Sequence, residues 1–210
     1  MVTPNLGRSI DLDTLVAGLS SEQQRENRRG FENFIGPALG VTAALRRDES
    51  NRVRSSELYA QLAVELAPTW MATLGLRSGK QRYETEDRYL ANGDDAGKLS
   101  YSSTTPVLAL QWLPSEAWNL YVSAGRGHET PTLGELAYRP DGEPGFNSAL
   151  QPQSSAQVEL GAKWRDDALG LAVEAALFRA DTDDEIGVLT NAGGRSTFQN
   201  VGSTRRSGAE

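Results

Sequence analysis

The sequence predicts an all-β protein, an antiparallel up-and-down meander that forms part of a transmembrane β-barrel. Apolar and polar residues alternate in segment after segment, which is the pattern of strands with one dry and one wet face. Short turns and long loops follow each other alternately along the chain. The strands run about 9–12 residues, the length of a tilted strand that crosses a bilayer.

The strands can be placed in chain order from this alternation. In residues 57–66, Leu58, Leu62 and Val64 alternate with Glu57 and Glu65. The same pattern is found in 70–77, 101–112, 118–126, 157–164 and 169–177, and more weakly in 36–49. Residues 1–35 are polar and predict a connecting segment, either a loop or a short helix. The partial barrel of about eight strands is therefore assigned to residues 36–210.

The tryptophans mark the short turns. The four tryptophans of the chain are Trp70, Trp112, Trp118 and Trp164. All of them lie beside the turns at 67–69, 113–117 and 166–167, and none lies near the long loops at 78–100 and 127–154. If these turns share one side of a membrane, the indoles form a girdle at the headgroup level. The alternative is that each tryptophan packs across a hairpin of a soluble β protein.

Composition excludes several classes of function. The formal net charge of −7 argues against nucleic acid, because a phosphate-binding surface needs clustered Lys and Arg. The absence of cysteine excludes disulfides, thiolate nucleophiles and cysteine-ligated metals. No apolar window long enough for a membrane helix occurs. The first residues show no basic start followed by an apolar run, so no signal peptide is predicted.

No catalytic residue, metal site or cofactor is predicted. The single histidine, His128, precedes Glu129, but Thr132 stands where a zinc-binding H-E-x-x-H helix needs its second histidine. Pro131 would also break that helix. The acidic run at 181–185 lacks the spacing of a calcium loop and is interpreted as a solvated rim.

Ligand contacts are predicted in the long loops and at one strand end. Arginine and tyrosine side chains there could hold an anionic ligand such as an iron chelate. The candidates are Arg82, Tyr83, Arg88, Tyr89, Arg126, Tyr138 and Arg139.

Several motifs resemble the barrel domain of TonB-dependent outer-membrane receptors, of the class that takes up iron complexes. The strand at Tyr121 runs into G-R-G-H-E-T-P-T at 125–132, followed by E-L at 135–136. An L-x-P segment at 150–154 and E-L-G-x-K at 159–163 come next. D-E-I at 184–186 and the Q-N-x-G-x-T-x-R-x-G-x-E pattern at 199–210 extend the resemblance. His128 departs from it, since the family usually has phenylalanine there.

The resemblance implies a function and a location. It implies that the short turns are periplasmic, that the long loops are extracellular, and that the whole receptor has more strands and an N-terminal plug. It also implies a bacterial outer-membrane location, with partners in membrane lipid and lipopolysaccharide, an iron chelate, and the TonB system acting through a plug that these residues lack. The fragment alone is not expected to insert stably, because its edge strands would be unpaired in lipid.

Two alternatives remain open at this point. One is a complete small outer-membrane barrel with a structural or adhesive role, which should begin with a signal peptide and end in an aromatic strand. The other is a soluble β-sandwich that binds sugars or proteins, whose apolar strand faces would be covered by a second sheet.

Overall fold

The computed structural model describes residues 12–143, 145–192 and 195–210, and these form strands, turns and loops. There is no helix among the described residues that is long and apolar enough to cross a membrane. The strands are β1 (Leu12–Phe31), β2 (Phe34–Ile35), β3 (Ala38–Leu39), β4 (Leu45–Ala67), β5 (Trp70–Asp87), β6 (Gly97–Ser115), β7 (Trp118–Glu129), β8 (Gln153–Asp166), β9 (Leu171–Asp183), β10 (Ile186–Ala192), β11 (Arg195–Asn200) and β12 (Thr204–Ala209).

One large sheet dominates the fold. Its eight strands follow the order β1-β4-β5-β6-β7-β8-β9-β12, and each of its strand pairs is antiparallel. The remaining strands form two small hairpins, β2-β3 and β10-β11, which lie within the long connections. The predicted antiparallel meander is confirmed. Since β1 and β12 are the sheet edges and do not pair with each other, the described strands form an open sheet rather than a closed eight-stranded barrel.

The register places the apolar side chains of neighbouring strands on one face, which we call the leucine face. One row across it joins Leu62, Leu74 and Leu108, and continues into β7 and β8. Within the described residues, no second sheet covers this face. Five of its side chains are 40–58% exposed: Leu74, Leu108, Val122, Leu160 and Val173. This exposure contradicts the soluble sandwich, in which such residues would be buried.

We call the opposite face the tyrosine face. It is mainly polar near the tight turns, and the buried apolar cluster packs against it toward the other end of the sheet. Val53 and Tyr83 are buried there, beneath the connection between β7 and β8. That connection contributes Leu136 and Leu150, which are 0% and 2% exposed. The best-buried apolar cluster of the described residues thus forms between a folded loop and the sheet, and not between two layers of secondary structure.

The predicted polar connecting segment differs from the structure. Residues 1–35 were expected to form a loop or short helix, but Leu12–Phe31 is a strand paired with β4 along nearly its whole length. The second half of β1 is polar on both faces, so its sequence lacks the alternation of apolar and polar residues that predicts a strand. Its backbone pairing with β4 nevertheless continues. Residues 1–11 lie outside the described part of the chain.

Other strand bounds also differ from the sequence-based expectation. The strands of the large sheet that were expected to be 9–12 residues reach 23 residues in β4. Most of the predicted loop at 78–100 belongs to β5 and β6, which leaves 88–96 as the connection. The predicted strand at 36–49 is instead part of a small hairpin followed by the start of β4. The alternation of short and long connections is nevertheless confirmed.

Candidate functional site

The tryptophans form cross-strand pairs beside the tight turns. Trp70 lies opposite Trp112, and their rings stack with centroids 5.8 Å apart and planes 13° apart. Trp118 lies opposite Trp164 with centroids 6.5 Å apart. All four occupy leucine-face positions at the end of the sheet that carries the turns at 68–69, 116–117 and 167–170. The cross-strand packing of the alternative explanation therefore exists, and it is compatible with a girdle.

At the opposite end, the connection between β7 and β8 is fastened to the tyrosine face by tyrosine hydroxyls. Tyr83 donates a hydrogen bond of 2.6 Å to the carbonyl of Pro131, at the start of the connection. Tyr101 donates one of 2.7 Å to the carbonyl of Leu150, at its end. The two rings meet edge to face at 5.9 Å. Because both ends of the connection are anchored, it has a fixed position over the sheet.

A buried ion pair holds the middle of this connection. Arg47 and Glu49 approach to 2.8 Å, and each side chain is only 8% exposed. The Arg47 Nη2 also donates a 2.8 Å hydrogen bond to the carbonyl of Ala137. The ring of Tyr138 lies between two guanidinium groups, 4.5 Å from Arg47 and 5.4 Å from Arg195. Such cation–π contacts add to the packing of the loop.

Two opposing effects act on the pKa of Glu49 in this pair. Burial raises the pKa of the Glu49 carboxyl, and the nearby positive charge of Arg47 opposes that rise. A buried pair contributes little net stability, but removal of one partner leaves an uncompensated charge. Arg47 and Glu49 therefore fix the loop position rather than offer a free charge to a ligand.

A polar cavity of about 330 Å³ opens where β6 and β7 separate. Their pairing reaches only Val107 and Gly125, and stops beside Pro106, which has no N–H to continue a ladder. The cavity lies at the resulting gap in the sheet, so both faces contribute to its lining. Most of the lining residues of β4 and β5 are on the tyrosine face, whereas Arg126 of β7 lies in register with Ala156 at a leucine-face position. Among its lining residues are Glu57, Arg77, Gln81, Tyr101, Arg126 and His128.

The predicted ligand residues divide into two groups. Arg126 lines the polar cavity, while Tyr89 and Arg139 line a second depression of about 240 Å³ near the loop tips. Arg88 is exposed at the start of the connection after β5. These four positions stay predictions.

The other three predicted ligand residues have different roles. Tyr83 is 2% exposed and anchors the loop, so it is corrected from a ligand contact to a structural residue. Tyr138 is held between two arginines. Arg82 lies in β5 rather than in a loop, at a leucine-face position. Alternation within β5 decides the roles of Arg82 and Tyr83, which the sequence pattern alone assigns to a loop.

The sequence reasoning missed Arg77, which lines the cavity and pairs with Glu57 on the tyrosine face. Their alternation along β4 and β5 was visible, but their convergence depends on strand register. The predicted solvated rim at 181–185 contains compensated charges, because Asp181 pairs with Arg179 at 2.9 Å and Glu185 with Arg206 at 2.6 Å.

The loop anchor is expected to be sensitive to alkaline pH. Burial raises the pKa of Tyr101 to about 12 from its usual 10. Because the folded state favours the protonated phenol, its contribution to loop attachment is complete below pH 10 and is lost as pH rises through about 12. Tyrosinate absorbance of the purified receptor should show this late titration, and Tyr101→Phe should reduce it, while Tyr83, whose pKa burial also raises, continues to titrate late. An unchanged late fraction in Tyr101→Phe would contradict the assignment.

Comparison with known proteins identifies the family. Residues 3–210 match the family model described as TonB dependent receptor-like, beta-barrel. The chain belongs to this family. Members of the TonB-dependent receptor family are outer-membrane receptors and transporters, and the predicted fold class, a partial TonB-dependent receptor barrel, is thereby confirmed.

Individual relatives agree with the family. The chain is 25% identical over 179 residues to the probable TonB-dependent siderophore receptor PiuA of Acinetobacter baumannii, covering 79% of this chain and 22% of that protein. The ferric yersiniabactin uptake receptor FyuA of Yersinia pestis shares the fold with a TM-score of 0.65 and 19% identity, over 97% of this chain and 30% of that one.

The copper transporter OprC shares the fold with a TM-score of 0.73 and 16% identity, over 93% of this chain and 30% of that one. The chain thus spans between a fifth and a third of the length of these three proteins. Identities this low in the two structures show the common fold and do not specify a ligand.

Proposed function

We propose that this chain forms part of the barrel wall and outer loops of a TonB-dependent outer-membrane receptor for a ferric siderophore or related iron complex. Energy from the TonB system, coupled through the plug of the whole receptor, drives uptake. One observation carries the proposal: in a chain of this family, an open meander exposes a continuous leucine face while its other face is polar and loop-covered. The siderophore relative PiuA supports iron complexes as the ligand class.

The orientation follows from the two ends of the sheet. The tight turns with their tryptophans face the periplasm, where the indoles form a girdle at the headgroup level. The anchored connection and the small hairpins face the outside. A strand residue advances ~3.3 Å, which a tilt of ~40° reduces to ~2.5 Å along the membrane normal. An apolar band of ~25 Å therefore corresponds to about ten residues of strand.

The ligand approaches from the loop side. Tyr89 and Arg139 line the depression near the loop tips, and Arg126 lines the polar cavity at the gap between β6 and β7. Arg88 is exposed in the same connection as Tyr89. These residues supply cations and a hydroxyl for the ligand. Guanidinium groups bind the oxygens of an anionic chelate in a fork geometry that lysine cannot reproduce. Tyr83 and Tyr138 contribute indirectly, because they hold the connection that borders the cavity.

An uptake experiment tests this function. The whole receptor is produced in the outer membrane of a bacterium without its own siderophore receptors, with and without an active TonB protein. Radiolabelled ferric yersiniabactin, a ferric catecholate and Cu²⁺ serve as probes. We expect TonB-dependent uptake of at least one ferric complex. Uptake of Cu²⁺ alone, or uptake that does not need TonB, contradicts the proposal.

Variants test the ligand contacts. Arg126→Ala combined with Arg139→Ala is expected to weaken binding of the transported complex by about tenfold or more, since a charge-assisted hydrogen bond contributes ~1.5–3 kcal/mol. Arg165→Ala is the matched control, because Arg165 lies at the tight-turn end and pairs with Asp167 at 2.9 Å. Equal binding by both variants would remove Arg126 and Arg139 from the contact set.

A further inference from the structure

Six basic side chains gather on the leucine face above its apolar part. They occupy three neighbouring cross-strand rows of β1, β4, β5 and β6, and five are exposed while Arg52 is half-buried. They are Arg25, Arg52, Arg54, Lys80, Arg82 and Lys98, and we call them the basic cluster. This concentration is notable in a chain with 28 acidic and 21 basic residues.

The strand register brings these charges together. The upper row reads Arg25, Arg52, Glu84 and Lys98 across the four strands. The middle row contains Arg54 opposite Arg82. The lower row contains Lys80, with Ser56 and Ser102 as its cross-strand neighbours. Within these three rows, Glu84 is the one carboxylate among the described side chains.

Glu84 does not neutralise the basic cluster. It lies 2.7 Å from Lys98 and 3.8 Å from Arg52. The hydrogen bond from Lys98, followed by the positive charges of Lys98 and Arg52, lowers the pKa of the Glu84 carboxyl. One carboxylate against six cations leaves an excess of five positive charges. Arg54 and Arg82 make no ion pair with a described carboxylate.

The surface between these side chains is concave. A depression of about 430 Å³ is lined by four of the six cations, Arg52, Arg54, Arg82 and Lys98, together with Glu84, Ser100, Tyr83 and Leu99. Guanidinium forks, an ammonium group and a hydroxyl that converge on one depression suit a phosphate group, whose several oxygens accept hydrogen bonds from all of them.

The position of the basic cluster along the strands determines which part of the membrane it meets. Along β5, the cluster rows lie ten to fourteen residues beyond Trp70, at Lys80, Arg82 and Glu84. At ~2.5 Å per residue along the normal, this places them ~25–35 Å from the tryptophan row. The hydrocarbon band is ~25 Å tall, so the cluster lies at the headgroup level of the outer leaflet.

We propose that the basic cluster binds the phosphorylated headgroup of the glycolipid that forms the outer leaflet, lipopolysaccharide. The inference rests on the proposed outer-membrane location. The leucine face points away from the barrel lumen, so the lipid and not the transported ligand meets these charges. The acyl chains then lie along the leucines below, and the phosphates lie against Arg54 and Arg82.

The test uses the whole receptor purified in mild detergent, with bound glycolipid quantified by mass spectrometry. Arg54→Gln combined with Arg82→Gln is expected to reduce retained glycolipid roughly 25-fold, because each such cation near an anionic surface contributes about fivefold. Arg165→Gln with Arg206→Gln removes the same charge from positions outside the cluster, where each arginine has a carboxylate partner. This control should retain glycolipid as the unmodified receptor does.

Two further experiments distinguish loss of charge from misfolding, and recognition of the phosphorylated glycolipid from binding of free phosphate. Arg54→Lys with Arg82→Lys keeps the charge and should retain most of the glycolipid, which shows that a loss in the Gln variant is not misfolding. Added lipopolysaccharide should displace the bound lipid, whereas its dephosphorylated form and inorganic phosphate should not.

Equal retention in the Gln variant and the control, or displacement by the dephosphorylated form, overturns the proposal. Binding of a ferric complex is measured on the same samples. Failure of the glycolipid proposal, seen as unchanged glycolipid retention, can therefore be told apart from failure of the proposed receptor function, seen as absence of ferric-complex binding.

Discussion

Leu74→Arg is expected to destabilise insertion of the whole receptor into a bilayer by about 2–4 kcal/mol. Leu74 is 49% exposed on the leucine face and lies four residues beyond Trp70, near the middle of the apolar band. A guanidinium at that depth loses its hydration unless the lipid deforms around it. Urea titration of the receptor in lipid vesicles, followed by heat-modifiable gel mobility, measures the change.

The neighbouring residue supplies the matched control. Thr73 lies on the tyrosine face, opposite Ala63 and Ala109. Thr73→Arg adds the same side chain at nearly the same depth, but on the lumen side, where we expect less than about 1 kcal/mol of destabilisation. If both variants lost stability equally, or if only Thr73→Arg did, the leucine face would not be the lipid face.

Sequence alone predicts the part of the fold that faces lipid. There the requirement of an apolar surface imposes a period of two on every strand, as at Leu58, Leu62 and Val64 in β4. Beyond the lipid-facing part of the strands, both faces of the sheet meet water or the loops. The side chains there no longer alternate between apolar and polar, so the sequence pattern does not reveal the strand. β1 and the upper half of β5 were therefore missed, although their backbone ladders are continuous.

The site was predictable in composition but not in arrangement. Tyr89 and Arg139, predicted in loops, and Arg126, predicted at a strand end, line depressions, and their contact with a ligand stays a prediction. Arg82 and Tyr83 are adjacent in sequence, and a strand sends them to opposite faces, one into the basic cluster and one into the core. The residues that converge on Leu136 come from distant strands, and no local pattern indicates their meeting.

Leu136→Ala is expected to release the connection between β7 and β8. Leu136 is fully buried, with Leu150 and Tyr83 in its cluster. Removal of such a side chain costs about 2–5 kcal/mol, since few other apolar groups can fill the cavity. That amount is large beside the loop's individual hydrogen bonds, which contribute about 1 kcal/mol each. We expect proteolysis within 130–152 and a large loss of ferric-complex binding.

Hydrogen exchange gives the quantitative measurement. The amide of Asn147 donates a 2.9 Å hydrogen bond to the carbonyl of Leu136, so its protection reports whether the loop is closed. In Leu136→Ala the free energy of protection of this amide should fall by the whole ~2–5 kcal/mol lost from the buried cluster, while amides in the paired parts of β4 and β5 keep their protection. Leu90→Ala is the control, because Leu90 is 63% exposed in another loop at the same end, and its truncation should cost less than about 0.5 kcal/mol.

The result separates two roles for this loop. If binding and protection fall together in Leu136→Ala alone, the loop must be closed before the ligand binds, and Tyr83, Tyr101 and Arg47 act on the ligand through it. If protection falls while binding persists, the ligand is held by the cavity between β6 and β7 without the loop. Unchanged protection would contradict the buried cluster itself, because an alanine cannot fill the space of a fully enclosed leucine.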